Sequence, residues 1–355
     1  MRLGFDLLRA AGLGAVMMTM GCAAEAAETT GRSGDGSPSS WAGESDTGGA
    51  APGSSSGSGS GSSGASVLTA GAWDDNLNYP IFDLYRWANA DALPFTEAEH
   101  EAAQQRFGGA RDAHTQLDVA LVIDTTGSMA DELSYLQTEL DSIATRVTAA
   151  YPDAETRWAL IVYRDEGDEY VTRVFDFTGL DEMRASLRAQ SAGGGGDYPE
   201  ASHAALRDMT NLEWREHDAV ARLAFWIADA PHHEQAEVEW AAALRSAAQL
   251  DVHVYPIASS GIDAETELSM RSAAQLTGGR YLFLTDDSGI GGSHLEPPVP
   301  CFFVTHLDTA MLRAIDAEMT GEHELPSEEQ IIRRTGDPDE AGACELQDGG
   351  TAFAF

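Results

Sequence analysis

Two spacings of apolar residues organise this chain. From residue 117 onward, near-continuous apolar runs alternate with stretches where apolar side chains recur every three or four positions. The runs LDVALVID (117–124), WALIVYRD (158–165), AVARLAFWIAD (219–229), DVHVYPIA (251–258) and RYLFLT (280–285) predict strands, the last of the sheet being RYLFLT. Runs without polar alternation suit central parallel strands covered on both faces. Between them, ADELSYLQTELDSIATRVTAA (130–150) places Leu133, Leu136, Leu140, Ile143 and Val147 on one helical face. Further helices are predicted over 179–190, 200–209, 238–251 and 265–279, with Gly278 and Gly279 closing the fourth, and over 307–321. YVTRVFDF (170–177) follows WALIVYRD across the acidic turn EGDE and reads as its hairpin partner. The expected fold class is α/β: a doubly wound, mostly parallel open sheet with one antiparallel edge strand.

The rest of the chain lacks that rhythm. Residues 67–115 form a small accessory segment expected to pack on the main domain, which spans 116–321. Within it, Ile81, Leu84, Tyr85 and Ala88 fall at helical spacing, and FTEAEHEAAQQRF reads as a second short helix with Thr96 as its N-cap. Asp74 and Asp75 read as turn residues rather than ligands. The acidic stretch 322–355 is poor in core residues and is expected to be a mobile extension, partly tied back if Cys344 is bridged. Residues 22–66 are dominated by Gly and Ser from Gly31 to Ser66. Such a stretch cannot bury apolar area and behaves as a flexible tether spanning roughly 30–35 Å.

Composition narrows the function. The chain has 355 residues and a net charge of −37, and all 21 of its basic residues are Arg. Without Lys there is no Schiff-base or P-loop lysine chemistry. The acidic excess argues against nucleic acid and against direct adhesion to anionic lipid. Residues 1–21 carry Arg2 and Arg9, then an apolar run from Ala10 to Met20, then Gly21 before Cys22. This resembles a bacterial lipoprotein signal, with acylation of Cys22, although Thr19 departs from the usual aliphatic residue. The resemblance implies an exported, lipid-anchored protein of the cell envelope, expected at the outer membrane. Cys301 and Cys344 remain as a candidate disulfide, or as two free thiols.

The candidate chemistry lies at strand ends, where open α/β sheets bind ligands. Asp124 ends one buried run and Asp229 another. A carboxylate against a dry strand end is costly unless something neutralises it, and no Lys or nearby Arg does so. A hard divalent cation is the simplest neutraliser. In DTTGSM, Asp124, Thr126 and Ser128 can turn three oxygens toward one point, and Mg2+ would accept them while keeping waters. DTTGSM, YRD (163–165), GGGGDYPEA (193–201) and FWIADAPHH (225–233), in that order, resemble the motifs of von Willebrand factor type A domains. The resemblance covers 116–321 and implies a metal-ion-dependent adhesion site, with Asp124, Thr126, Ser128 and Asp229 as ligands. Many relatives supply a Thr from the middle loop; here Asp197 is assigned to the metal by position, directly or through water. An extra carboxylate there would weaken the pull of the ion, Mg2+ or else Ca2+ or Mn2+, on an anionic partner.

Competing readings exist for several of these residues. Ser128 with Asp131 also reads as a capping box, and Asp197 as a cap for the helix after Pro199. Asp165, Glu166, Asp168 and Glu169 are expected on the metal side of the sheet as a solvated loop. His232 and His233 lack the further ligands zinc needs. Asp286, Asp287 and His294 are expected in a surface loop. The function expected is a tethered, non-enzymatic binding module whose ion is completed by an Asp or Glu of a protein partner. The alternatives are a haloacid-dehalogenase-like, Mg-dependent phosphatase using Asp124 as nucleophile, and an assembly scaffold stiffened by metal. The first usually needs an acid where Thr126 stands.

Overall fold

A computed structural model describes residues 67–89 and 94–355. The signal-like segment, Cys22 and the Gly/Ser tether lie outside the described residues.

Five strands form the parallel centre of a nine-stranded sheet in the described residues: β2 (Gln116–Asp124), β3 (Thr156–Tyr163), β5 (Val220–Ala228), β6 (His253–Ala258) and β7 (Tyr281–Leu284). The order is β4-β3-β2-β5-β6-β7-β1-β8-β9. The edge strand β4 (Thr172–Thr178) runs antiparallel to β3, as the hairpin reading expects. Helices α3 (Ala130–Ala150) and α8 (Leu307–Thr320) cover one face, and α5 (Ser202–Thr210), α6 (Glu237–Gln249) and α7 (Ala264–Thr277) the other. Along β2 the side chains alternate between the layers. Leu121 and Ile123 join Leu136, Leu140 and Met311, whereas Ala120 and Val122 join Trp226, Trp240 and Met270. Because both faces are covered, the strand needs no polar alternation.

The far flank of the sheet departs from expectation. β1 (Thr69–Trp73) inserts between β7 and β8 (Phe302–His306), antiparallel to both, and β9 (Arg333–Thr335) pairs antiparallel with β8. Antiparallel strands therefore occupy both flanks, not one edge. TAGAW carries little strand propensity, and its pairing is decided by context. A Cβ on Gly71 would lie 2.3 Å from the Phe283 ring, so only glycine lets β1 enter beside β7. Two buried ion pairs fasten this segment. Asp75 accepts from Arg271 at 2.7 Å, and Asp74 from Arg280 at 2.9 Å. Asp74 also accepts from the amides of Asn76 and Leu77, so it is both a turn residue and an ion-pair partner.

The acidic tail is ordered over its described length. Cys301 and Cys344 form a disulfide across 43 positions. Cys344 lies on β10 (Ala343–Glu345), which forms a hairpin with β11 (Thr351–Phe353). Phe355 is buried, stacked on His323 with ring centres 3.7 Å apart and covered by the Arg280 guanidinium at 4.0 Å. The bridge ties the tail back through Cys344, as the sequence allows, and the Phe355 anchor adds a second attachment. Among the described residues, no helix is long and apolar enough to cross a membrane.

Candidate metal site at the strand ends

Strands β2 and β5 run in parallel register, so their carboxyl ends deliver Asp124 and Asp229 to the same edge of the sheet. Beyond Asp124 the chain turns sharply. Asp124 Oδ1 accepts from the Thr126 amide at 2.8 Å and from its hydroxyl at 2.7 Å. The Thr126 and Ser128 hydroxyl oxygens are 3.3 Å apart. Residues Gly127–Met129 form a 3-10 turn, and α3 starts without a side-chain cap. The capping-box reading of Ser128 is therefore not realised. Its hydroxyl lies instead beside Asp229, where its hydrogen bond partly offsets the upward push of burial on that carboxyl.

The glycine loop closes over this turn. Gly193 donates its amide to Thr125 O at 3.0 Å, and Gly127 donates to Gly194 O at 3.2 Å. Asp168, from the β3–β4 connection, accepts from the Gly195 amide at 2.8 Å. Gly195 has φ +72, and a Cβ there would stand 3.0 Å from Glu200 Oε1 and 3.3 Å from Thr126 Cβ. The loop therefore brings Glu200 against Thr126, and a glycine makes that approach attainable.

The sequence singles out Asp197 on this loop, yet Asp197 is exposed and lies at the rim. The buried acid is Glu200, three positions on and 3% exposed. Its amide donates to Pro231 O at 2.9 Å, and its backbone bridges to His232, so the chain leaving β5 holds it in place. Sequence reasoning missed Glu200 because PE reads as the opening of a helix. No spacing signal marks an acid whose burial depends on a loop thirty residues away. Asp197 also caps nothing, since α5 begins without a side-chain cap.

Three carboxylate oxygens at this edge are buried and without a hydrogen-bond partner: Asp124 Oδ2, Asp229 Oδ1 and Glu200 Oε2. Burial, with Asp229 adding repulsion, pushes the Asp124 carboxyl up to about 7. Burial followed by repulsion from Asp124, Asp165, Asp229 and Asp168 pushes Glu200 up to about 9. Acids packed among acids resist ionisation unless a cation compensates. Orphaned oxygens, raised acids and adjacent hydroxyls together form a donor set that fits a hard cation. Among the described residues, no three His, Cys, Asp or Glu side chains stand close enough to form a metal site by themselves. Hydroxyls and water would have to complete any coordination. Ser128, Glu200 and Asp229 line one cleft of about 520 Å3, with Asp197, Tyr198, Ser260 and Ser293 around it.

The neighbouring candidates have structural partners. Asp165 is 7% exposed and lies 2.5 Å from His233 Nε2, so this part of the loop is not solvated as expected. Glu166 belongs to the same connection, and Glu169 pairs with Arg173 at 2.7 Å. The His232 ring stacks on Trp240 at 4.4 Å, and burial holds it down to about 4. Asp286 accepts from His294 at 2.8 Å, and Asp287 pairs with Arg333 at 2.9 Å.

The match to a family model agrees with this architecture. Residues 118–287 match the family model of the von Willebrand factor A domain. A mimivirus protein of Acanthamoeba polyphaga, described as an ariadne-like RING finger protein, is 26% identical over 192 residues, covering 49% of this chain and 19% of the viral one. The pilus adhesin SpaC of Lactobacillus rhamnosus GG aligns over 48% of this chain and 28% of its own, with 13% identity and a TM-score of 0.36. The chain thus spans less than a fifth of the curated relative it matches. Between Asp118 and Asp287, just under half of the chain, the sequence is similar to the von Willebrand factor A domain family.

Proposed function

We propose that this protein is a binding module that holds a macromolecular partner through a divalent cation. Asp124, Thr126, Ser128 and Asp229 supply the oxygens, and the partner completes the coordination from the cleft. The observation that carries this reading is the set of orphaned carboxylate oxygens beside the Thr126 and Ser128 hydroxyls at the strand ends. Mg2+ suits the site if waters are retained, and Ca2+ or Mn2+ suit it if more oxygens are drawn in. The ion would bind and orient; no nucleophile with a matched base stands beside these oxygens, and the module is read as non-enzymatic.

The disulfide is consistent with an oxidising compartment, and the lipoprotein-like start with anchorage of Cys22 at the cell envelope. The acidic composition leaves nucleic acid a poor partner. The test is thermal melting with and without Mg2+, Ca2+ or Mn2+. A cation at a hundredfold excess over its dissociation constant should add about 2.7 kcal/mol of stability. Asp124→Ala should abolish that gain, and a pull-down from envelope extract should lose its partner in chelator. Equal melting in all conditions, with capture unchanged by Asp124→Ala, would reject the proposal.

A further inference from the structure

The cleft holds more acid than the first-loop motif accounts for. Glu200 is 3% exposed, its Oε2 has no hydrogen-bond partner, and it lines the same cleft as Ser128 and Asp229. Two hydrogen bonds hold its backbone beside the cleft: its amide donates to Pro231 O, the bond that makes the bridge to His232, and its carbonyl accepts from the Ser202 amide at 2.9 Å. Among the described residues it caps no helix and meets no arginine, so its unpartnered carboxyl is available to a cation in the cleft.

We propose that Glu200 is the middle-loop group of the metal site, acting on the ion through one coordinated water, and that its charge closes the loaded site to carboxylate partners. This inference rests on the divalent-cation reading above. The charge accounting is direct. Asp124 and Asp229 together balance a divalent ion, and Glu200 adds a third carboxylate, leaving the loaded cluster net negative. Asp165 and Asp168 behind it, and the exposed Asp197 at the rim, add charge of the same sign. A carboxylate approaching the open position meets repulsion, whereas a neutral hydroxyl or amide oxygen does not. On this proposal the partner offers neutral oxygen rather than the Asp or Glu expected from the sequence. The other lining groups agree: hydroxyls from Ser128, Ser260 and Ser293, and Tyr198, 41% exposed, with its hydroxyl held by Thr266 and the Asp263 amide at 3.0 Å each.

The experiment uses Mn2+ as the probe ion and water-proton relaxation as the readout, on wild type, Glu200→Gln, Glu200→Thr and Asp197→Asn. Glu200→Gln should weaken Mn2+ binding about 10–100-fold, the range seen when groups supporting a metal are removed. Asp197→Asn should stay within about twofold of wild type. On loaded wild type, acetamide should displace bound water at lower concentration than acetate, and Glu200→Thr should reverse that order. Melting of metal-free Glu200→Gln should be no lower than wild type, which separates misfolding from loss of a ligand. If wild type itself binds no Mn2+, the metal reading fails. If wild type binds Mn2+ and Glu200→Gln binds it equally, or if acetate competes best on wild type, the role given to Glu200 falls alone.

Discussion

At the scale of single residues, burial and charge decide behaviour that spacing does not reveal. Glu139 lies on the inner face of α3 and accepts from the Leu68 amide at 2.5 Å, while its Oε2 has no partner. Burial, partly offset by the Leu68 bond, pushes its carboxyl up to about 7. The folded state therefore favours the protonated form. The stability linked to it is complete below the ordinary carboxyl range near 4.5 and is lost as pH rises through about 7. Glu139→Gln should raise the melting temperature at pH 8, by an amount worth about 2–3 kcal/mol, and change little at pH 4.5. A larger gain at the acidic end would refute this. Glu318 behaves in the opposite sense. Burial alone would raise it, but His253 and Arg111 outweigh burial and hold it well below the usual range. Its contribution is present above the ordinary carboxyl range and disappears as pH falls. Residue by residue, the sequence singled out Asp124, Thr126, Ser128, Asp197 and Asp229 as candidates, because strand-end acids, a hydroxyl-rich turn and a glycine loop are local patterns. Glu200 was not legible, because its burial is made by Pro231 and His232, which reach it only in the folded chain.

Among elements, α1 (Tyr79–Ala88) shows how a helix can be foreseen while its buried face is not. The apolar spacing nominated Ile81, Leu84, Tyr85 and Ala88. The helix forms, but Leu84 is 71% exposed, and Phe82 with Arg86 faces inward. The helix has only ten residues, under three turns, and the buried Arg86 pairs with Asp83 on the same helix at 2.6 Å. Phe82→Ala should therefore cost about 3–5 kcal/mol of unfolding free energy, while Leu84→Ser should stay within about 0.5 kcal/mol. Denaturant titration of both variants measures the contrast, and similar losses would show that the inward face is misassigned. Strand β8 was also overlooked. CFFVTH follows PPVP and lies beyond the last strand expected from the sequence, and it becomes a strand because β1 and β9 offer it two partners.

Across the whole molecule, the two ends of the described chain close the flank of the sheet remote from the candidate site. The Phe353 amide donates to the Asn78 side chain at 2.8 Å, and Asn78 returns a bond to Phe353 O at 3.0 Å, so tail and leading segment fasten each other. The disulfide closes a loop of 43 residues, a constraint worth roughly 4 kcal/mol on chain-entropy grounds. Reduction, or Cys344→Ser, should lower the melting temperature by a corresponding amount while leaving cation-dependent stabilisation intact. Loss of cation response on reduction would show the two ends of the sheet to be coupled.

The sequence by itself determined the central sheet and its covering helices, and it nominated the strand ends as the candidate site. Apolar periodicity and strand-end acids are properties of a dozen consecutive residues, and local pattern suffices to read them. Tertiary structure decided which acid of the glycine loop is buried, that TAGAW enters the sheet, and that an acidic tail is ordered. Each of these turns on a partner far along the chain — Pro231 for Glu200, Phe283 for Gly71, Cys301 for Cys344 — and such pairings have no energy until the chain has folded around them.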